Sequence, residues 1–194
     1  MSDSSEQPIQ GFAQFDLDPA LMKGIEDAGF HEPRPIQAMT LPAALDGRDV
    51  LGLAQTGTGK TAGFALPILE RIVRERGAGP RALILAPTRE LAAQIMNEFR
   101  LLARFARIKV INIYGGVRQN PQVKGLRSRP DVIVACPGRL LDLLQQGHAK
   151  LDRIETFVLD EADQMFDMGF MITIRQIIAH LPEKRQNMLF SATM

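Results

Sequence analysis

Leu53-Ala54-Gln55-Thr56-Gly57-Thr58-Gly59-Lys60-Thr61 carries an apolar run through two glycines into Gly-Lys-Thr, where a helical pattern begins. Gly57 and Gly59 have no Cβ, so the backbone can take positive φ there and approach a ligand closely. Successive N–H groups in such a turn converge on an anion, and a helix opening near Lys60 adds the positive end of its dipole. The stretch reads as a polyphosphate cradle: Gln55, Thr56, Gly57, Thr58 and Gly59 wrap the phosphates, Lys60 reaches the terminal ones, and Thr61 ligates Mg²⁺. The general pattern wants a glycine five residues before Gly59, and Ala54 stands there.

Outward from this stretch the chain alternates. Apolar, β-branched runs at 49–54, 82–86, 109–113, 132–135, 156–159 and 187–190 are separated by helical patterns at 59–76, 88–105, 119–126, 138–145 and 169–181. Short strands between helices imply βαβ units, hence an α/β domain with a mostly parallel central sheet and helices on both faces. Before the first strand, Asp18-Pro19 starts a short amphipathic helix that Gly29 closes, and a second helix runs over 35–45 after a proline-stiffened turn. Residues 1–11 are polar and read as a disordered tail, with the folded unit over 12–194.

The chain has 194 residues, 45% of them hydrophobic, enough for one domain with a full core. Cys136 is the only cysteine and the three histidines are scattered, which excludes an internal disulfide framework and leaves no metal-ligand spacing. The start lacks the pattern of a signal peptide and no apolar run is long enough for a bilayer, so the expected location is cytoplasmic, with no membrane contact. Lys and Arg number 23 against 22 Asp and Glu, a formal charge of +1, so any nucleic-acid binding must be local. Basic residues cluster over 71–81, 100–109 and 118–129, where a solvated helix face is the commonest meaning.

In an open parallel sheet ligands sit beyond the carboxyl ends of the strands. After successive strands stand the glycine-rich turn, Pro87-Thr88-Arg89-Glu90, Tyr114-Gly115-Gly116, Cys136-Pro137-Gly138-Arg139, Asp160-Glu161-Ala162-Asp163 and Ser191-Ala192-Thr193. Asp160, delivered by an apolar strand, suits a carboxylate that holds Mg²⁺ against phosphate oxygens, and Glu161 suits a group that orients the attacking water. Thr88 also reads as a plain helix cap.

In these segments the chain resembles a known family, the DEAD-box ATP-dependent RNA helicases, whose name spells residues 160–163 in one-letter code. The resemblance covers 12–194 and rests on motifs in the family's order: 29–37, 54–61, 87–91, Gly115-Gly116, 137–139, 160–163 and 191–193. It implies an N-terminal RecA-like P-loop domain, with Ala54 now a match. It further implies that Gln37 reads adenine and Phe12 stacks on it, with Phe30 expected in the core. Pro87, Thr88, Arg89, Gly115, Gly116, Pro137, Gly138 and Arg139 would grip the RNA backbone, and Asp163 would bond Ser191 and Thr193 to couple nucleotide state to strand separation. Cys136 and Arg34 depart from the family's usual threonine and small polar residue. The partners implied are RNA, bound without sequence preference, and a second RecA-like domain expected to be missing here and to bring the arginines that complete the site. ATP and Mg²⁺ are the expected ligands, and a lone fragment is expected to be a monomer. A nucleotide-gated RNA clamp or chaperone would carry the same motifs, and a DNA helicase of a neighbouring family is a further alternative, less suited to the segment around Gln37.

Overall fold

The computed structural model describes residues 11–55, 57–75 and 77–193. A 3₁₀ turn, Gly11–Phe15, precedes helices α1 (Pro19–Asp27) and α2 (Pro35–Leu45). Then follow β1 (Val50–Leu53), α3 (Lys60–Arg74), β2 (Ala82–Leu85), α4 (Arg89–Leu102), β3 (Val110–Ile113), α5 (Gln119–Arg127), β4 (Val132–Ala135), α6 (Pro137–Gln145), β5 (Thr156–Leu159), α7 (Ala162–Asp167), α8 (Met171–Ile178) and β6 (Gln186–Ser191). Of the expected tail, residues 1–10 lie outside the described residues, and Gly11 belongs to the 3₁₀ turn. Asp18 starts α1 as expected, its carboxylate accepting the Ala20 N–H at 2.8 Å, and Thr88 caps α4 by accepting the Leu91 N–H at 3.2 Å.

The six strands are parallel, in the order β1-β6-β5-β2-β4-β3. From β1 to β2 to β3 the chain moves one way across the sheet, and from β3 to β6 it steps back. Right-handed crossovers must then place helices on opposite faces for the two halves of the walk. They do: α1 to α4 share a core with Ala82, Ile84, Val132, Val134 and Val158, while α5, α6 and α8 share another with Leu83, Leu85, Ile133, Phe157 and Leu159. The alternation within each strand is the two-residue pleat sorting side chains between two cores. On the first face Phe64 packs its ring 5.3 Å from Phe190 and 6.2 Å from Phe99. Gly24 lets α1 lie directly on α4, since a Cβ there would stand 2.0 Å from the Leu102 carbonyl oxygen.

Two features differ from the sequence reading. β1 is an edge strand with Leu51 and Leu53 exposed, so the sheet is not buried throughout. The six-residue α7 sits between the acidic turn and α8, too short to produce a readable period.

Candidate active site

With all strands parallel, every strand exit lies along one edge of the sheet, and strand order sorts the motifs. The glycine-rich turn, residues 191–193 and the acidic turn leave the neighbouring strands β1, β6 and β5. Residues 87–89, 137–139 and 115–116 leave β2, β4 and β3 on the other half.

In the first half Gly57 and Gly59 take φ of 82° and 91°, as the cradle requires. Thr58 closes the turn, its hydroxyl donating to the Gln55 carbonyl at 2.7 Å, and the Gln55 side chain is exposed. Thr56 lies outside the described residues. Lys60 opens α3 and Asp160 ends β5, and the Lys60 ammonium stands 3.7 Å from an Asp160 carboxylate oxygen. Both are almost fully buried, and the ammonium has no hydrogen-bond partner among the described residues. Burial pushes the Asp160 carboxyl up to about 6, with Lys60 pulling it down and Glu161 pushing it further up. A buried cation with three unspent donors is costly alone and is satisfied by an entering anion. Together with the two positive-φ glycines it makes a cradle that fits a polyphosphate.

Thr61 and Glu161 line the same cavity, of about 290 Å³. Glu161 adopts φ 55° and ψ 53°, a left-handed conformation rare for a residue with a side chain and typical of constrained functional turns. The donors available to a cation, the Thr61 hydroxyl and the Asp160 carboxylate, are hard oxygens suited to Mg²⁺. Among the described residues no group of three His, Cys, Asp or Glu side chains could hold a metal, which suits an ion that takes its remaining ligands from phosphate and water.

Gln37 and Phe12 stand differently from expectation. The Gln37 amide is fully buried and spent within the protein, donating to the Gly59 carbonyl at 2.9 Å and accepting the Arg34 N–H at 2.9 Å. Phe12 is 3% exposed, packed edge-on to Phe30 at 6.3 Å and against Phe15, so its ring is a core group here. Among the described residues the aromatic side chain lining the cavity of Lys60 and Asp160 is Phe30, which is only partly buried. Arg34, which the sequence marks only as a departure within 29–37, and Glu98, which sequence reasoning missed, are further site residues. The Arg34 guanidinium donates to the Gly57 carbonyl at 2.6 Å, clasping the turn. Glu98 enters the cavity from α4, and burial raises its pKa against polar contacts from Thr61 and the Ala62 N–H. Leu91, Gln94 and Glu98 follow helical spacing along one face of α4, a signal present in the sequence.

Asp163 gathers the end of β6: one carboxylate oxygen accepts the Thr193 hydroxyl at 2.9 Å and the N–H groups of Thr193 and Ala192 at 3.0 and 3.2 Å. Slight desolvation would raise its pKa, but the Thr193 and neighbouring hydrogen bonds prevail and lower it. The Ser191 hydroxyl donates to the Thr193 carbonyl at 2.6 Å, holding that end in place.

On the other half, three turns knit into one surface. Arg139 donates to the Val117 carbonyl at 3.3 Å, beside Gly115 and Gly116, and Arg89 reaches Gly116, where a Cβ would come within 3.1 Å of its guanidinium. Gly116 holds φ 76°. Pro137 and Gly138 open α6 and Pro87 precedes the cap Thr88, so the first N–H groups of α4 and α6 face the strand-tip edge. Cys136, half-buried, makes no cap bond, and burial pushes its thiol up to about 11.

Comparison with known proteins agrees with this geometry. The sequence model of the DEAD/DEAH box helicases matches residues 34–194. The DEAD-box ATP-dependent RNA helicase CshA of Streptococcus pneumoniae is 51% identical over 183 residues, covering 94% of this chain and 35% of that protein. CshA of Geobacillus kaustophilus is 46% identical, with 94% and 39% covered. Among solved structures, a DEAD box protein from Methanococcus jannaschii superposes with a TM-score of 0.89 at 37% identity, over 96% of this chain and 51% of that one. A hypothetical ATP-dependent RNA helicase from Sulfolobus tokodaii gives 0.85 at 38% identity, over 91% and 51%. The chain therefore spans little more than a third of these curated relatives and about half of these solved chains. With its parallel sheet, its buried Lys60–Asp160 pair and a family match over most of its length, the chain belongs to the DEAD/DEAH box helicase family.

Proposed function

We propose that this chain is the first RecA-like domain of an ATP-dependent RNA helicase, binding ATP with Mg²⁺ on the β1/β6/β5 half of the strand tips and an RNA backbone on the β2/β4/β3 half. The observation that carries the reading is the strand order, which puts a phosphate cradle and an acidic turn within 3.7 Å at Lys60 and Asp160 and gathers the glycines and arginines next to them. Gly57, Gly59 and Lys60 hold the β- and γ-phosphates. Thr61 and Asp160 hold the cation, which when bound neutralises charge on the phosphate oxygens. Glu161 orients the attacking water and takes its proton. Gln37 reads adenine after releasing Gly59 and the Arg34 N–H, and the N–H groups and arginines of the second half bind phosphates without touching a base edge. Asp163, through Thr193, ties the acidic turn to the end of β6 and so couples nucleotide state to strand separation.

The relatives are named helicases, which supports strand separation over mere clamping. Activity needs a second RecA-like domain that supplies arginines to the γ-phosphate, as in related enzymes where such an arginine is worth about 10³ or more in turnover. We place the complete protein in the cytoplasm; among the described residues no helix is long and apolar enough to cross a membrane. The test compares this chain with the complete protein for ATPase in the presence of RNA or DNA. The complete protein should respond to RNA, lose turnover on Glu161→Gln, and exceed this chain by about 10³. Helicase-like, RNA-stimulated turnover by this chain alone, or a complete protein indifferent to Glu161→Gln, would refute the reading.

A further inference from the structure

A concentration of unpaired positive charge lies at the opposite end of the sheet from the strand tips. A cleft of about 520 Å³ there is lined by Arg127 and Arg129 at the end of α5 and by His148, Lys150 and Arg153 from the segment between α6 and β5. Among the described residues Asp152 is the only carboxylate lining it. None of the four permanent cations has an ion pair or side-chain hydrogen bond among the described residues. Neighbouring acids are otherwise engaged: Glu155 is held by both nitrogens of a fork from Arg81 at 2.8 and 2.6 Å, and Asp131 accepts the Lys109 N–H at 2.7 Å. One wall is rigid, because Gly79 lies against the 130–131 backbone so closely that a Cβ would meet the Pro130 carbonyl at 2.1 Å.

A basic run on a convex helix face is ordinarily solvated. Here a chain of formal charge +1 places four cations and one carboxylate around a concavity, where field lines focus. The cleft is also continuous with the strand-tip edge. A second hollow of about 380 Å³ shares Arg127 and His148 with it, adds Lys124, and ends at Gln119, three residues after Gly116. α5 thus forms a basic rail, about 13 Å long, between the two ends of the sheet. Among the described residues Val117, at the strand-tip end, is the one large apolar side chain exposed along this path, too little to anchor a protein partner, whereas spaced point charges suit phosphodiesters.

We infer that the cleft of Arg127, Arg129, Lys150 and Arg153 is a second RNA-backbone site, which takes the strand that leaves the strand-tip surface along α5. This rests on the RNA-binding reading above. The test uses this chain and the variant Arg127→Gln/Lys150→Gln/Arg153→Gln; Arg129 is left alone because its φ of 52° belongs to a tight turn. Binding is measured by fluorescence anisotropy with RNAs of about six and about twenty nucleotides across a salt series. With the long RNA, loss of three phosphate contacts should lower the salt slope by about 2, so that wild type loses about 20-fold more affinity than the variant between about 50 and 200 mM salt. The short RNA should not distinguish the two proteins, and Arg127→Lys/Arg153→Lys should keep the wild-type slope. Equal slopes on the long RNA would overturn the cleft alone. Absence of binding to either RNA by wild type would overturn the function reading with it. Poly-glutamate binding that the variant loses, with RNA binding unchanged, would assign the cleft to an acidic protein and overturn the proposal.

Discussion

Lys60→Met removes the buried ammonium while keeping most of its stem. In the wild type that ammonium is the main group that opposes burial at Asp160, with the Glu161 N–H assisting, and the carboxyl lies at about 6 instead of near 3.8. The displacement costs the folded state about 3 kcal/mol when Asp160 is charged. Its sign follows from a raised carboxylate: there is no cost below pH 3.8, it grows between 3.8 and about 6, and it is constant above. Without Lys60 the carboxyl moves above 6, so the variant should go on losing about 1.4 kcal/mol per pH unit beyond the point where the wild type levels off. Ligand binding supplies an independent reading. The ammonium has no hydrogen bond among the described residues, so in the proposed site its loss removes one or two charge-assisted bonds to phosphate, about 3 kcal/mol, or roughly a hundredfold in nucleotide affinity. Denaturant melts at pH 5 to 8 and calorimetric titration with ADP and ATP measure the two effects. Undiminished affinity together with parallel pH profiles would show that Lys60 neither faces the phosphates nor restrains Asp160.

The Asp163 clasp should titrate below the ordinary carboxylate range. Its contribution is present from about pH 4 upward and is lost as pH falls through the lowered value, so the Thr193 amide signal in an NMR pH series should move with a depressed midpoint and should not move in Asp163→Asn. A midpoint at the free carboxylate value would dissolve the clasp. Cys136, with its thiol at about 11, should react with iodoacetamide at pH 8 about two orders of magnitude more slowly than a free thiol and should recover full reactivity on unfolding. Equal rates in the native and unfolded protein would contradict its burial.

Much of this site was legible because its signals are local. Strand runs and helical spacing are properties of a few residues, and positive φ at Gly57 and Gly59 follows from what a glycine-rich turn must do around an anion. What escaped depends on distant partners. Strand order needs contacts between residues more than a hundred positions apart, such as Leu53 beside Ser191. Gly24 looks like a helix-weakening residue until Leu102 is seen against it. The short α7 begins from a left-handed Glu161, which no propensity scale favours as a helix start. Phe12 and Phe30 are both aromatic neighbours of the first helices, and only packing decides which is buried and which borders the cavity. Glu98 was readable in retrospect from the 91, 94, 98 spacing, but a lone carboxylate on an amphipathic helix more often faces water.

The Lys60–Asp160 pair does not hold the site together, because a buried carboxylate raised to about 6 works against folding. Its geometry is imposed by the sheet. β6 lies between β1 and β5 and is registered to both, Val50 and Val158 each pairing with Met188. Two strand spacings of about 4.8 Å then separate the exits of β1 and β5 by about 10 Å. A lysine reaching from the first turn of α3 and a short aspartate at the end of β5 nearly span that gap, leaving their charged ends 3.7 Å apart. A shorter side chain at either position would leave the charges too far apart to restrain one another, and a one-residue slip of β5 against β6 would turn Asp160 toward the opposite face. The backbone hydrogen bonds of β1, β6 and β5, and the two cores that clamp them, therefore fix the spacing of the two charges, and under the proposed function the adverse electrostatics of the pair are what an anion and a cation arriving together would relieve.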